Sequence, residues 1–188
     1  RESVGHWRGL SREETAMRNA MKRTLVLGNL VPVIKIRELS QDYSDEASDK
    51  ASDKIPSQYV VDDGDVIFSW SGTLKVEVWA GGKGGLNQHL FKVTSTKVEK
   101  WFYYLWTKYH LQEFVRIAQG KAVSLGHIKR EHLREAIVLL PTNDQLEVMN
   151  KYMTPIIENI INRKTEKNRL IELSNIILSK MAKEGNDR

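Results

Sequence analysis

The sequence predicts an α+β fold, a mixed α/β domain with a β-rich core followed by a long C-terminal helix that pairs with a partner helix. Three observations carry this expectation. Short β-branched and aromatic runs, separated by glycine turns, fill residues 59–93. Residues 101–118 pack six aromatics into nine positions at helical spacing. Residues 141–183 favour helix almost throughout yet contain no globular core of their own. The boundary falls after residue 140, giving a domain over 1–140 and a helical region over 141–188.

In chain order, Ser11 and Glu14 have the spacing of a helix cap, so a short helix is expected over 12–22. His6, Trp7 and Arg8, beside two glycines, could form a loop that contacts nucleic acid, but a loop that packs one tryptophan is the expectation. Residues 31–36 (VPVIKI) read as a strand. Residues 40–57, with SDEASDKASDK inside them, read as an exposed acidic loop whose charge argues against phosphate contact. Turns at Asp62-Asp63-Gly64 and Gly72 then frame strands over 65–70 and 71–79. Gly81 to Gly85 (GGKGG) is expected to be a flexible loop, and residues 89–93 another strand. That loop lacks the Gly-Lys-Ser/Thr end of a P-loop, so it does not signal nucleotide binding. In the helix over 101–118, Trp101, Leu105, Leu111, Phe114 and Val115 are expected to cover the sheet, with Tyr103, Lys108 and His110 on other faces. Residues 119–141 read as a glycine- and base-containing loop, a helical turn and a last strand over 136–140.

Thr142 and Gln145 form a capping box, and Pro155 after Thr154 reads as a second start. The expectation is a short helix, a break and a long helix. The long helix would span roughly 40 Å at 1.5 Å per residue, more than a small domain covers. Its apolar residues therefore call for a partner helix, through Leu146, Met149, Met153, Ile156, Ile160, Leu170, Leu173, Ile177 and Met181. The alternative is a terminal helix folded back on its own domain. Asn162 to Arg169 interrupt the stripe with polar residues.

At 188 residues and 40% hydrophobic content, the chain has room for one substantial domain and an appendage. No apolar run is long enough for a membrane span. The absence of a first methionine suggests a fragment or processed chain. With no cysteine, disulfides and thiolate metal sites are excluded, and a cytoplasmic location fits. Residues 66–134 hold 11 Lys and Arg against 4 Asp and Glu, a net of +7, whereas 38–65 are acid-rich. A basic stretch of this kind suggests nucleic acid as a partner, against the blander reading of solvated lysines. Lys121, Lys129 and Arg130, beside exposed amides, suit phosphates, and Ser124, His127 and Lys129 have the size to reach base edges. Catalytic signatures are missing: the chain has no methyl-donor loop, no Glu-x-Lys nuclease pair after its acids and no paired histidines for zinc. No cofactor or metal is expected.

Five segments, VPVIKIREL (31–39), GDVIFSWSGT (64–73), LNQHLFKV (86–93), QGKAVSLGHIKREHL (119–133) and IVLLPTNDQ (137–145), fall in the order and spacing of one family. In them the chain resembles a specificity subunit of type I restriction-modification systems. The resemblance implies a target recognition domain and a helical spacer. In full subunits two such units read the halves of a bipartite DNA site and hold methyltransferase and restriction subunits without catalysis of their own. One unit is present here, either a half-length subunit that dimerises or half of a longer one. Departures are the acidic insert at 42–54, the opening over 1–28 and the single Pro141 where the family has Pro-Pro. The expected DNA face comprises Lys35, Arg37, Trp70, Ser71, Lys75, Lys83, Asn87 and His89, with Lys121, Ser124, His127 and Lys129. The competing readings are a fragment of a larger enzyme with an upstream catalytic domain, and a helical assembly adaptor that ignores DNA.

Overall fold

The computed structural model describes residues 29–120, 128 and 130–186. The helix expected over 12–22 and the loop at His6, Trp7 and Arg8 lie outside them. The fold is α+β, as the sequence predicts.

A first sheet has strand order β2-β1-β6-β3, with β1 Leu30–Ile34, β2 Lys50–Ser52, β3 Val60–Val61 and β6 Gly84–Leu86. A second has order β5-β4-β7, with β4 Val66–Ser69, β5 Lys75–Val78 and β7 Leu90–Val93. The central strand β4 is buried at all four positions and divides its side chains between two cores. Val66 and Phe68 enter the larger, with Val76, Val78, Val93, Phe102 and Phe114. Ile67 enters the smaller, with Ile34, Leu39, Val61, Trp79 and Leu86. Strand alternation thus lets one run of four residues bind both halves of the domain.

Four expectations about strands and loops change. The strand over 31–36 stops at Ile34, and helix α1 (Ile36–Gln41) begins at once. The carboxylate of Glu38, three residues into the turn, accepts the Lys35 amide at 3.1 Å and so favours a helix start over strand continuation. The acidic stretch is ordered: β2 pairs antiparallel to β1 with Ala51 opposite Val31, and a 3-10 turn, Ser57–Tyr59, follows. The glycine run is no loop at its C-terminal end. Gly84 and Gly85 belong to β6, parallel to β1 and antiparallel to β3. A Cβ on Gly84 would lie 2.7 Å from the Ile34 side chain and one on Gly85 2.8 Å from Ile55, so glycine admits these isoleucines to the sheet face. Residues 136–140 carry no strand; Val138 is buried, Ile137 and Leu139 are exposed, and no ladder partner lies among the described residues.

Helix α2 (Lys100–Gln119) lies on the second sheet, with Phe102, Tyr103, Tyr104, Thr107, Phe114 and Ala118 buried. Leu111 and Val115 pack there as expected, but Leu105 faces solvent and Tyr103 does not. Trp101 misleads the helical pattern because its covering comes partly from the C-terminal helix: its Nε1–H donates to Asn150 Oδ1 at 2.7 Å. A stripe drawn from Trp101 to Leu105 therefore runs off the sheet. After a short α3 (Arg130–Glu135), Thr142 and Gln145 make the capping box, with Thr142 N–H to Gln145 Oε1 at 3.0 Å and Gln145 N–H to Thr142 Oγ1 at 3.4 Å.

Helix α4 (Asn143–Asn186) is then unbroken, with Pro155 inside it. The expected break does not form. Proline removes one helical hydrogen bond and crowds the preceding turn, a cost of about 3 kcal/mol in an isolated helix. Here Met153 and Ile157, on either side, are both packed into the larger core and hold the turn in place. At 44 residues α4 spans about 66 Å. Among the described residues no helix is long and apolar enough to cross a membrane.

Candidate nucleic-acid interface

Beyond the paired ends of β4 and β7, where Ser69 lies opposite Leu90, the chain places Trp70 and Ser71 against Gln88 and His89. The Trp70 amide donates to His89 O at 3.2 Å, and the indole Nε1–H to Gln88 O at 3.2 Å. Ser71 Oγ and His89 Nδ1 are 2.7 Å apart, and the Trp70 and His89 rings stand 5.9 Å apart. Asn87 Oδ1 accepts the His89 amide at 3.1 Å, while the Asn87 amide donates to Ile34 O at 2.9 Å, fastening the cluster to β1. The buried Ile128 joins from a third segment, its amide donating to Trp70 O at 3.1 Å. His127 and Lys129 flank Ile128 in sequence but, with Lys121 and Ser124, lie outside the described residues.

The result is a half-buried group of hydroxyl, imidazole, amide and indole held by backbone bonds from three segments. Such groups offer donors and acceptors of the size needed at base edges, with little freedom to lose on binding. Gln88 belongs to it, its Nε2 3.4 Å from His89 Nε2, and sequence reasoning missed it. The only signal was its place between Asn87 and His89.

The expected basic residues divide. Lys83 is exposed, with no ion pair among the described residues. Lys35 is bonded to Asp49, and Arg37 binds Asp45 at 2.8 and 3.0 Å, Glu38 at 2.6 Å and Ser48 Oγ at 3.1 Å. Lys75 stands 3.6 Å from Glu77. The Arg37 hydrogen bond holds the Asp45 carboxyl down to about 2, and the Lys35 bond lowers that of Asp49. Burial pushes the Glu38 carboxyl up, but hydrogen bonds from its own amide, Arg37, Lys35 N–H and Ser48 outweigh this and leave it below the ordinary value. Two of the bases expected to meet phosphate thus have their charge met inside the chain by the acidic insert. No group of three His, Cys, Asp or Glu that could hold a metal ion occurs among the described residues.

The helix residues also divide. Leu146 and Met153, expected to face a partner, pack on the domain's own larger core beside Ile157 and Ile161. Met149, Ile156, Ile160, Leu170, Leu173, Ile177 and Met181 are exposed.

The polar cluster thus sits at strand ends of an α+β domain whose last helix runs on past the core. The chain belongs to the family described as the type I restriction modification DNA specificity domain, which it matches over residues 19–173. No curated protein matches it. Among solved structures it is similar to a chain from "Structural basis underlying complex assembly and conformational transition of the type I R-M system", with 18% identity and a TM-score of 0.44. The alignment covers 81% of this chain and 38% of that one.

Proposed function

We propose that this chain is a DNA-reading unit that binds double-stranded DNA, reads one half of a bipartite target and, without catalysis or cofactor of its own, holds modification (methyltransferase) and restriction subunits. The observation that carries the reading is the Trp70–Ser71–His89 cluster with Ile128 fastened to it, in a chain of this family. The proposed DNA face is Trp70, Ser71, Lys83, Asn87 and His89, with Lys121, Ser124, His127 and Lys129 from the segment around Ile128. Lys35, Arg37 and Lys75 are left out because carboxylates hold them. Phosphate contacts would supply salt-dependent affinity and the cluster would supply discrimination.

Duplexes selected from a random pool against the chain supply the test. His89→Ala should lose about 1–3 kcal/mol of discrimination at one base pair, while Lys83→Ala should weaken all duplexes alike and lower the salt slope by about 1. Equal binding of selected and random duplexes by the parent chain would overturn the reading.

The exposed face of α4 supports homodimerisation, Leu170, Leu173, Ile177 and Met181 being an apolar stripe with nothing covering it among the described residues. Truncation after Asn168 keeps the helix that the domain core needs and should convert the dimer to monomer in sedimentation.

A further inference from the structure

We propose that Lys164 and Asn168, in the polar interruption of α4, latch the helix to the C-terminal end of α1 and to the end of β5, and thereby fix the direction in which it leaves the domain. Lys164 Nζ reaches Asp42 Oδ1, Glu77 Oε2 and Val78 O, each at 3.1 Å. An ammonium has three N–H donors, and all three are taken. One turn on, Asn168 Nδ2 donates to Asp42 O at 2.7 Å and Ala80 O at 2.8 Å, which uses both amide hydrogens. The opposite amide orientation would turn its oxygen on two carbonyl oxygens, so the pair of acceptors fixes the side chain. Lys167 adds a longer contact to Asp42 Oδ2 at 3.3 Å.

The acceptors come from the two halves of the domain. Asp42 caps α1, next to the first sheet, in the left-handed conformation (φ 76°), its amide bonded to Glu38 O at 2.8 Å. Glu77 and Val78 belong to β5 of the second sheet, and Ala80 follows shortly after. Leu146, Met153, Ile157 and Ile161 hold the earlier turns of α4 on the larger core alone. The latch is thus a further attachment that adds the end of α1, at Asp42, to the β5 side already under the helix. It lies beyond Pro155, where the helix lacks one internal hydrogen bond and bends most readily. The apolar contacts end at Ile161, and the latch carries the attachment about two turns further along the helix, to Asn168. Burial opposes the Lys164 charge, but Glu77 and Asp42 outweigh it and raise the lysine's pKa above its ordinary value. The ammonium therefore stays charged at neutral pH.

Since the chain has no cysteine, spin labels can be placed at Lys54→Cys and Lys180→Cys, both exposed positions. The distance between them is read in the full-length chain without DNA, diluted with unlabelled chain so that only distances within one copy contribute. The parent should give one narrow distribution. Lys164→Met with Asn168→Ala should broaden it at least about twofold, with the thermal midpoint and helix content held by the apolar attachment. Asp42→Asn with Glu77→Gln removes the charges by another route and keeps the fold, because asparagine tolerates the left-handed position. Because Val78 O, Asp42 O and Ala80 O remain as acceptors, it should broaden the distribution less than the first variant does. A distribution for Lys164→Met with Asn168→Ala that superimposes on the parent's would overturn the latch. A consequence for the spacing between DNA half-sites rests on the DNA-reading function; the distance measurement does not, so the two can fail separately.

Discussion

The two halves of α4 have similar composition and opposite surroundings. From Asn143 to Asn168 one face meets the domain, first through Leu146, Met153, Ile157 and Ile161, then through Lys164 and Asn168. From Arg169 onward Leu170, Leu173, Ile176, Ile177, Leu178 and Met181 are all exposed. The contrast teaches that an apolar helical stripe is not evidence of a partner until the domain's own demand is subtracted. Ile157 is 5% exposed and its neighbour Ile156 52%, so one helical step separates core from free surface.

Substitutions in the two halves should separate the roles. The largest effect is expected at Ile157→Ala, which empties a core position and should cost about 2–5 kcal/mol in urea unfolding. Leu173→Ala, in the free half, should stay within about 0.5 kcal/mol at concentrations where the chain is monomeric. Comparable losses at both would erase the distinction between docked and free halves. Next in size, Gly84→Ala should cost about 1–3 kcal/mol, because its Cβ meets Ile34. That loss arises in the sheet and should leave helix association untouched, as sedimentation would report. Trp101→Phe, which drops the bond to Asn150 and leaves its oxygen unmet, should cost about 1–3 kcal/mol by the same unfolding assay.

The smallest effect belongs to the acidic insert. The folded-state pKa of Asp45 lies at about 2 against an ordinary 3.8. A depressed carboxyl contributes stability that is complete above the ordinary value and is lost as pH falls toward the folded one. Detachment of the insert from Arg37 should therefore show between pH 3.8 and about 2. Asp45→Asn should flatten stability over that interval and leave α4 docked. An identical acid profile for the variant would show that the insert is held by β2 pairing instead.

Much of the architecture was legible in the residues. Alternating β-branched runs, the aromatic helix and the Thr142–Gln145 box are local patterns, and local geometry follows from them. The five short segments also carried the family resemblance. Other features depended on partners far away in sequence. GGKGG reads as a loop until Ile34 and Ile55 are seen to need the space, and Leu105 reads as core until Trp101 is seen under α4. Of the candidate DNA face, the meeting of Trp70, Ser71 and His89 came from the β4–β7 register. The ion pairs of Lys35 and Arg37 came from the acidic insert folding onto them.

What the sequence by itself determined is the α+β class, a helical C-terminal region and the capping box that opens it, because backbone propensity, capping and hydrophobic period act over a few residues. Only the tertiary structure decided which face of that helix is spent on the domain, why its middle is polar and which bases are paired with carboxylates. Those outcomes rest on contacts such as Lys164 with Glu77, 87 residues apart, and no local pattern records which distant side chain will satisfy a buried charge.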